Sequence, residues 1–251
     1  MNRRGAFKLI FLACGLALGF RDGARAQTPA TVSKPLFSED FERGYIDKKL
    51  WTEDLTGDSV MLVQQDKAAH GKYALLARCP TPAQKTHAFL MARNLPEPLR
   101  HHLFGRAYVY IAPVVPDRHI IFLTAGTSGF PLYKYQEVAS AHGRFQLTYV
   151  DTTAIGPHGE DYHAGGDVPL GRWFLLEWEF NDHPDRAAIW IDGQPVLDTP
   201  FTFKTTGPST DLVGGFTDFA VGFRLWGAAP VPFDIYYDDI ALDVHRLGAV
   251  K

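Results

Sequence analysis

The segment from Leu103 to Ile111 alternates between two kinds of side chain, as expected of a β-strand with two different faces. Arg106, Tyr108 and Tyr110 fall on one face, and small or aliphatic residues occupy the other. Because buried strand faces are normally apolar, a face with a guanidinium and two phenols requires solvent or a ligand. Aromatic rings stack on sugar rings, and arginine pairs with carboxylates through two hydrogen bonds. The pattern predicts a site for sugars and carboxylates.

Other predicted strands carry residues of the same kinds. One strand begins at His119, a second presents Gln146, and a third places Arg224 beside Trp226. His87, on a strand that precedes the Arg106 strand, is a second candidate histidine. We expect these strands to form one cleft in which a chain-like ligand lies. The predicted lining comprises Arg106, Tyr108, Tyr110, His119, Gln146, Arg224 and Trp226.

The chain that must position these residues reads as strands and turns. From Trp173 to Phe180 the apolar and polar residues alternate as in a strand, and a turn cluster separates this strand from the one that ends at Ile191. The 23 glycines and 17 prolines favour many short strands joined by turns. No internal repeat or long helical periodicity interrupts this pattern. We therefore predict an all-β protein.

The N-terminal segment reads as an export signal. Arginines and a lysine precede an apolar run from Leu9 to Phe20, and small residues at Ala24 and Ala26 suit a signal peptidase. We predict a signal peptide over residues 1–26, a flexible leader over 27–34 and a single domain over 35–247. The mature protein is then secreted or periplasmic, with no membrane attachment. Cys79 is left as its single cysteine, so stability must come from a buried core.

The overall charge excludes one class of partner. A formal net charge of −3 offers no basic surface for nucleic acid. The partner that the candidate residues favour is an extracellular polysaccharide, and we expect a monomer.

The strand that Trp173 opens and the Trp190-Ile191-Asp192-Gly193 turn resemble the concanavalin A-like jelly rolls. The resemblance implies a two-sheet antiparallel sandwich whose first strand, near Phe37, pairs with the last one. In that superfamily a Glu of the first strand and an Asp of the last commonly meet at a structural calcium ion, helped by backbone carbonyls of a loop such as 69–72. Carboxylates and carbonyls suit Ca²⁺, which takes roughly six to eight oxygen ligands. By resemblance, Glu42 and Asp239 are the candidate ligands.

A second resemblance concerns the chemistry. Phe104-Gly105-Arg106, followed by Pro116-Asp117-Arg118-His119, resembles the secreted microbial group that includes the fungal cellulose-induced protein and the glucuronan lyases. The resemblance implies a lyase that cleaves a uronic-acid polymer by β-elimination, or a relative that only binds it. Arg106 and Gln146 would then neutralise the C5 carboxylate, His119 would be the base with His87 as a second histidine, and a tyrosine would be the acid.

Two other readings remain open. The related alginate lyases carry a Gln-x-His strand, whereas Thr148 stands in place of that histidine, which argues against alginate. Glycoside hydrolases of this fold use a Glu-x-Asp-x-x-Glu strand, and Glu177-Trp178-Glu179 lacks its central Asp. We expect Trp173 to Phe180 to be an outer strand with solvated carboxylates. A lyase acting on a glucuronate-containing polymer is favoured, with a non-catalytic carbohydrate-binding protein as the main alternative.

Overall fold

The computed structural model describes residues 34–80, 83–84, 86–127, 134–151, 159–201 and 215–250. The predicted signal peptide and leader lie outside these residues, apart from Lys34. Residues Pro35–Lys251 group into one unit. A helix with the length and apolar character of a membrane span is absent from the described part of the chain. The strands are β1 (Phe37–Glu39), β2 (Thr52–Leu55), β3 (Val60–Gln64), β4 (Ala74–Cys79), β5 (Ala83–Gln84), β6 (His87–Arg93), β7 (His102–Ile111), β8 (His119–Gly126), β9 (Lys134–Ala141), β10 (Arg144–Asp151), β11 (Gly159–Asp167), β12 (Trp173–Asp182), β13 (Asp185–Ile191), β14 (Gln194–Pro200), β15 (Asp218–Trp226), β16 (Ala228–Ala229) and β17 (Phe233–Asp243), with one short 3₁₀ helix at Glu97–Leu99.

Two antiparallel sheets contain nearly all of these strands. Within the described residues, an eight-stranded sheet has the order β14-β13-β12-β7-β17-β4-β3, and β1 joins it by pairing with β17. A seven-stranded sheet has the order β11-β10-β9-β8-β15-β6-β2. The first strand lies against the last one, with Phe37 opposite Leu242. The all-β jelly-roll prediction and the predicted pairing of first and last strands are confirmed.

The core lies between the two sheets and is built from alternate residues of their strands. Ala107 and Val109 of β7 belong to it, as do Ile120 and Phe122 of β8. On the opposite surface of the seven-stranded sheet, a second and smaller apolar cluster is buried. Since successive strand residues point to opposite faces, each strand of that sheet presents one set of side chains inward and one outward. The smaller cluster consists of Phe89, Met91, Ile121, Ala139 and Ala220.

An irregularity in the middle of the seven-stranded sheet sets the register of its outward residues. The pairing of β15 with β8 shifts between Val221 and Arg224. Gly222 has a φ of 143° there, and a Cβ at this position would lie 2.0 Å from the carbonyl oxygen of Ala88. Only glycine fits this backbone without a shift of the neighbouring strand. Gly222 therefore helps to set the register that places Arg224 on the outward face of the sheet.

The prediction for β12 was wrong in one respect. This strand lies between β13 and β7 rather than at the edge of its sheet, and the side chain of Glu177 is 1% exposed. Arg246 donates two hydrogen bonds of 2.9 and 2.7 Å to the Glu177 carboxylate, which also accepts the backbone N–H of Gly248. The C-terminal segment thus covers a carboxylate that was expected to face solvent.

Candidate functional site

The predicted site residues fall on two different surfaces. Arg106, Tyr108 and Tyr110 belong to β7 of the eight-stranded sheet, and they alternate with residues that point into the core. His87, His119, Gln146, Arg224 and Trp226 belong to the seven-stranded sheet. The prediction that all of them line one cleft is wrong for the three residues of β7. Alternation along a strand identifies a face, but it does not identify the sheet to which the strand belongs.

The residues of β7 contact other segments of the chain. Arg106 donates a hydrogen bond of 3.1 Å from Nη1 to the carbonyl oxygen of Gly248. The ring of Tyr108 packs edge-on against His70 at 4.6 Å between centroids. The ammonium group of Lys67 lies 4.0 Å from the centre of the Tyr110 ring. These contacts tie loops and the C-terminal segment to the sheet.

The outward face of the seven-stranded sheet, called the cleft face from here on, brings four predicted residues together. Arg224 of β15 lies directly opposite His87 of β6. Trp226, two residues further along the same face, lies directly opposite His119 of β8. Arg224 and His119 are therefore diagonal neighbours, about 7–8 Å apart at such positions. Arginine, indole and imidazole share one patch.

Gln146 lies on the same face at a greater distance. It is opposite Ala139 of β9, Ala139 is opposite Ile121 of β8, and Ile121 is opposite Arg224. Gln146 and Arg224 are thus in one cross-strand row, with two strands between them. Neighbouring strands are about 4.8 Å apart, so roughly 14 Å separates the two backbones. The two residues suit different parts of an extended ligand.

Both ring nitrogens of His87 face groups of its own sheet. Its Nε2 is 3.2 Å from the Oδ1 atom of Asp54, a charge contact whose geometry falls short of a hydrogen bond. Its Nδ1 is 3.3 Å from the hydroxyl of Thr56. Arg224, its cross-strand partner, lies with its guanidinium 5.7 Å from the centre of the Phe89 ring. His87 is better suited to positioning its neighbours than to accepting a proton from a substrate.

His119 has the opposite character. It lines a cavity of about 260 Å³ on the cleft face, and its Nε2 atom has no hydrogen-bond partner among the described residues. Burial lowers the pKa of this imidazole from its usual value of 6.5. A neutral imidazole in the wall of a cavity can accept a proton. The residues lining the cavity are His119, Tyr135, Glu137, Thr148, Val150 and Trp226.

Sequence reasoning missed the contribution of β9. Tyr135 and Glu137 both line the cavity, and the side chains are 6% and 2% exposed. The signal was present, because Tyr135, Glu137 and Ala139 alternate with Gln136 and Val138 as strand faces do. A carboxylate and a phenol thus join the predicted histidine.

The segments predicted to hold calcium lie close together, and their carboxylates contact backbone N–H groups and a histidine. The Glu42 carboxylate accepts the backbone N–H groups of Lys72 and Tyr73, each at 2.9 Å. Asp239 pairs with the imidazole of His70 at 2.5 Å. Nowhere in the described ranges do three His, Cys, Asp or Glu side chains converge as metal ligands. The Glu42 carboxylate thus contacts loop amides, and calcium at Glu42 and Asp239 stays a prediction.

Solved structures share this fold. A protein described as cellulose induced protein Cip1 superposes with a TM-score of 0.65 at 14% identity, covering 85% of this chain and 100% of its own. An endo-β-1,4-glucuronan lyase from Trichoderma reesei gives a TM-score of 0.62 at 14% identity, with 84% and 96% covered. A Bacteroides ovatus mixed-linkage glucan GH16 enzyme gives 0.58 at 12% identity, with 82% and 99% covered. No protein-family model and no curated protein matches the sequence.

Proposed function

We propose that this chain, a concanavalin A-like jelly-roll protein, is an exported polysaccharide lyase that cleaves a glucuronate-containing polymer by β-elimination on the cleft face. The observation that carries the proposal is the patch in which Arg224 lies beside Trp226 and diagonal to His119. The fold is shared with a glucuronan lyase and with a glucan-active enzyme, which supports a polysaccharide as the partner. The predicted export signal agrees with an extracellular substrate.

Arg224 takes the role that the sequence assigned to Arg106. Its guanidinium would bind the C5 carboxylate of a uronate, and neutralising that carboxylate makes the C5 proton easier to remove. The indole of Trp226 offers a flat surface for a sugar ring. Gln146, in the same cross-strand row as Arg224, would bind a neighbouring unit of the polymer.

His119 is the base in this proposal. Its Nε2 atom takes the proton from C5, the electron pair of that bond forms the C4–C5 double bond, and the C4–O bond breaks. The leaving oxygen then needs a proton. The protonated His119 can return the proton to it, because Tyr135, which lines the same cavity, pairs with the end of β8 far from His119, and Tyr108 and Tyr110 lie on the other sheet. The products are an unsaturated uronate and a new chain end.

Ultraviolet absorbance of the mature protein mixed with uronic-acid polysaccharides tests the proposal. The unsaturated product absorbs, so absorbance is expected to rise with the wild type and with Arg106→Ala. It should fall by about a hundredfold or more in His119→Ala, the usual size of a lost general base. Arg224→Ala should be similarly impaired. A flat trace on every polymer, with affinity retained, would contradict the lyase and favour the non-catalytic binding protein.

A glycoside hydrolase is less well supported. Glu177 and Glu179, the carboxylates in the hydrolase-like segment, lie on β12 of the eight-stranded sheet, away from the cleft face. Two carboxylates across the scissile bond are needed for hydrolysis. The described lining of the cavity contains one, Glu137. New reducing ends without ultraviolet absorbance would nevertheless identify a hydrolase.

A further inference from the structure

Tyr162 of β11 is an exposed aromatic residue on the cleft face. It lies directly opposite Thr148 of β10, and opposite residues of neighbouring strands share a face. The residues on either side of Thr148 along its strand, Leu147 and Tyr149, belong to the core, so Thr148 and Tyr162 both point outward. Tyr162 is 64% exposed. Its ring is therefore accessible to a ligand that lies on this face.

The strand that carries Tyr162 is held on both of its sides. Gly166 of β11 packs so closely on Val196 of β14 that a Cβ at the glycine would lie 2.2 Å from the valine Cγ1 atom. On its other side β11 pairs with β10 along the whole of that strand. A side chain on an anchored strand is positioned more precisely than one on a loop. Tyr162 thus has a defined place relative to the rest of the cleft face.

A polar side chain accompanies the ring of Tyr162. Gln146 lies opposite Ala164, two residues from Tyr162 along the same face of β11, so Gln146 and Tyr162 are diagonal neighbours about 7–8 Å apart. Gln146 is half-buried, and Ala164 is exposed and small. An aromatic ring stacks on the C–H face of a sugar, and an amide donates hydrogen bonds to its hydroxyls and accepts them. The two side chains together offer both contacts to one sugar unit.

Tyr162 lies far from Trp226, the other tyrosine or tryptophan of the described strands that is largely exposed, at 47%. Four strand spacings of about 4.8 Å separate β15 from β11. One cross-strand row carries the register between them, and it consists of Ile120, Ser140, Phe145 and Gly165. Trp226, opposite His119, is one residue to one side of this row, and Tyr162 is three residues to the other side. At about 3.4 Å per residue, the diagonal is roughly 23 Å.

A single sugar ring cannot contact both Trp226 and Tyr162, whereas a chain of several units can. We infer that Tyr162 and Gln146 form a distal subsite, in which a unit of the polymer stacks on the Tyr162 ring while another unit is held at Arg224. The inference rests on the proposed function for the polymer and for the chemistry at Arg224, and it adds a preference for long chains. Tyr162 contributes to affinity without touching the bond that is cleaved.

Calorimetry in the His119→Ala background, in which no ligand is cleaved, tests the inference with a trimer and an octamer of β-1,4-linked glucuronate. A trimer held at Arg224 is too short to reach Tyr162, so the octamer should bind about fivefold to tenfold more tightly. Adding Tyr162→Ala should remove this advantage and change the affinity for the trimer by less than about twofold. Tyr162→Phe keeps the ring and should retain the advantage.

Two further variants separate the subsite from a general effect of losing a tyrosine. Tyr45→Ala is the matched control, because Tyr45 is 58% exposed and lies between β1 and β2. It should leave the affinities for both ligands unchanged. Gln146→Ala should weaken binding of the octamer by about threefold to tenfold, as expected for lost hydrogen bonds, and should spare the trimer.

An octamer affinity that Tyr162→Ala leaves unchanged would overturn the inference, and so would equal losses for the trimer and the octamer. Failure of the proposed function looks different, because no polymer would then yield ultraviolet absorbance with His119 intact, while binding of the octamer would still depend on Tyr162. Cleavage of both ligands with equal kcat/KM, and no effect of Tyr162→Ala, would support the lyase and reject the subsite. Absence of binding by both ligands would overturn both proposals.

Discussion

The hydroxyl of Tyr237, on β17 of one sheet, donates a hydrogen bond of 2.5 Å to the carbonyl oxygen of Gly222, on β15 of the other. The same hydroxyl lies 3.1 Å from the carbonyl oxygen of Phe122. Both carbonyls belong to the stretch where the β8 and β15 pairing shifts register. Burial raises the pKa of Tyr237 well above its usual value, so the group remains a donor. Through Tyr237, the eight-stranded sheet thus stabilises the register shift between β8 and β15 that precedes Arg224.

Tyr237→Phe is expected to destabilise the protein by about 1–3 kcal/mol, since it leaves two buried carbonyls without their donor. It should also weaken ligand binding at the cleft face. Urea unfolding and calorimetric binding measure the two effects. Tyr236→Phe is the matched control, because the Tyr236 hydroxyl makes a long contact of 3.4 Å to Asp234. Equal losses in the two variants would contradict a special role for Tyr237.

The lowered pKa of His119 makes stability depend on pH in a defined direction. Between the folded pKa and about pH 6.5, the imidazole of His119 is protonated in the unfolded chain and neutral in the folded protein. The free energy of unfolding should therefore decrease as pH falls from about 6.5 through the folded pKa, and it should be fully regained above about 6.5. Because other histidines also titrate, the informative quantity is the difference between the wild type and His119→Gln, measured by urea unfolding from pH 7.5 to 5 as chosen test conditions.

That difference should shrink as pH falls, since only the wild type loses the contribution of a neutral buried imidazole. Cleavage activity should fall over the same pH range, because a protonated His119 cannot act as base. A wild type and a variant with parallel pH profiles would show that His119 is not held neutral by burial.

Glu177→Gln is expected to cost about 2–3 kcal/mol, since it breaks the charged pair with Arg246 and leaves a guanidinium near an uncharged amide. The C-terminal segment should then be cut more readily by trypsin at Arg246. Activity per folded molecule should be unchanged, because β12 lies in the other sheet. Glu97→Gln, at an exposed carboxylate, is the control. A selective loss of activity in Glu177→Gln would revive the hydrolase interpretation.

Glu42→Ala is expected to lower the free energy of unfolding by about 1 kcal/mol, because two loop amides lose their acceptor. The loss should be the same in calcium and in a chelator if these amides are the partners of the carboxylate. The calcium prediction requires the opposite, a higher melting temperature in calcium that disappears in Glu42→Ala and Asp239→Asn. Asp58→Ala, at an exposed carboxylate, controls for the loss of one charge.

The strands of this fold could be predicted from local alternation, whereas the site could be predicted only in part. The pattern around Leu103 correctly indicated a strand with a polar face, but the sheet containing β7 depends on pairing with β12 and β17, which are distant in sequence. The carboxylate-neutralising role was consequently given to Arg106, and Arg224, which lies on the cleft face, was predicted only as a further lining residue. Both arginines alternate with apolar neighbours in the same way.

The face presented by β8 was harder to infer because its alternation is interrupted. Phe122 and Leu123 both point into the core, so the residues after them are displaced by one position relative to His119. Such an irregularity is determined by contacts with neighbouring strands, here by Gly222 and Tyr237. Glu177 illustrates the same limit, since its partner Arg246 is a C-terminal residue brought over β12 by the fold.

The position of β17 has a consequence for how the chain reaches its native state. This strand separates β7 from β4 and also pairs with β1, although it is the last strand in the sequence. Until it has been synthesised, β4 and β7 have no common neighbour and β1 has no partner, so the eight-stranded sheet cannot close. Within the described residues, the larger sheet can therefore close only after β17 has been made.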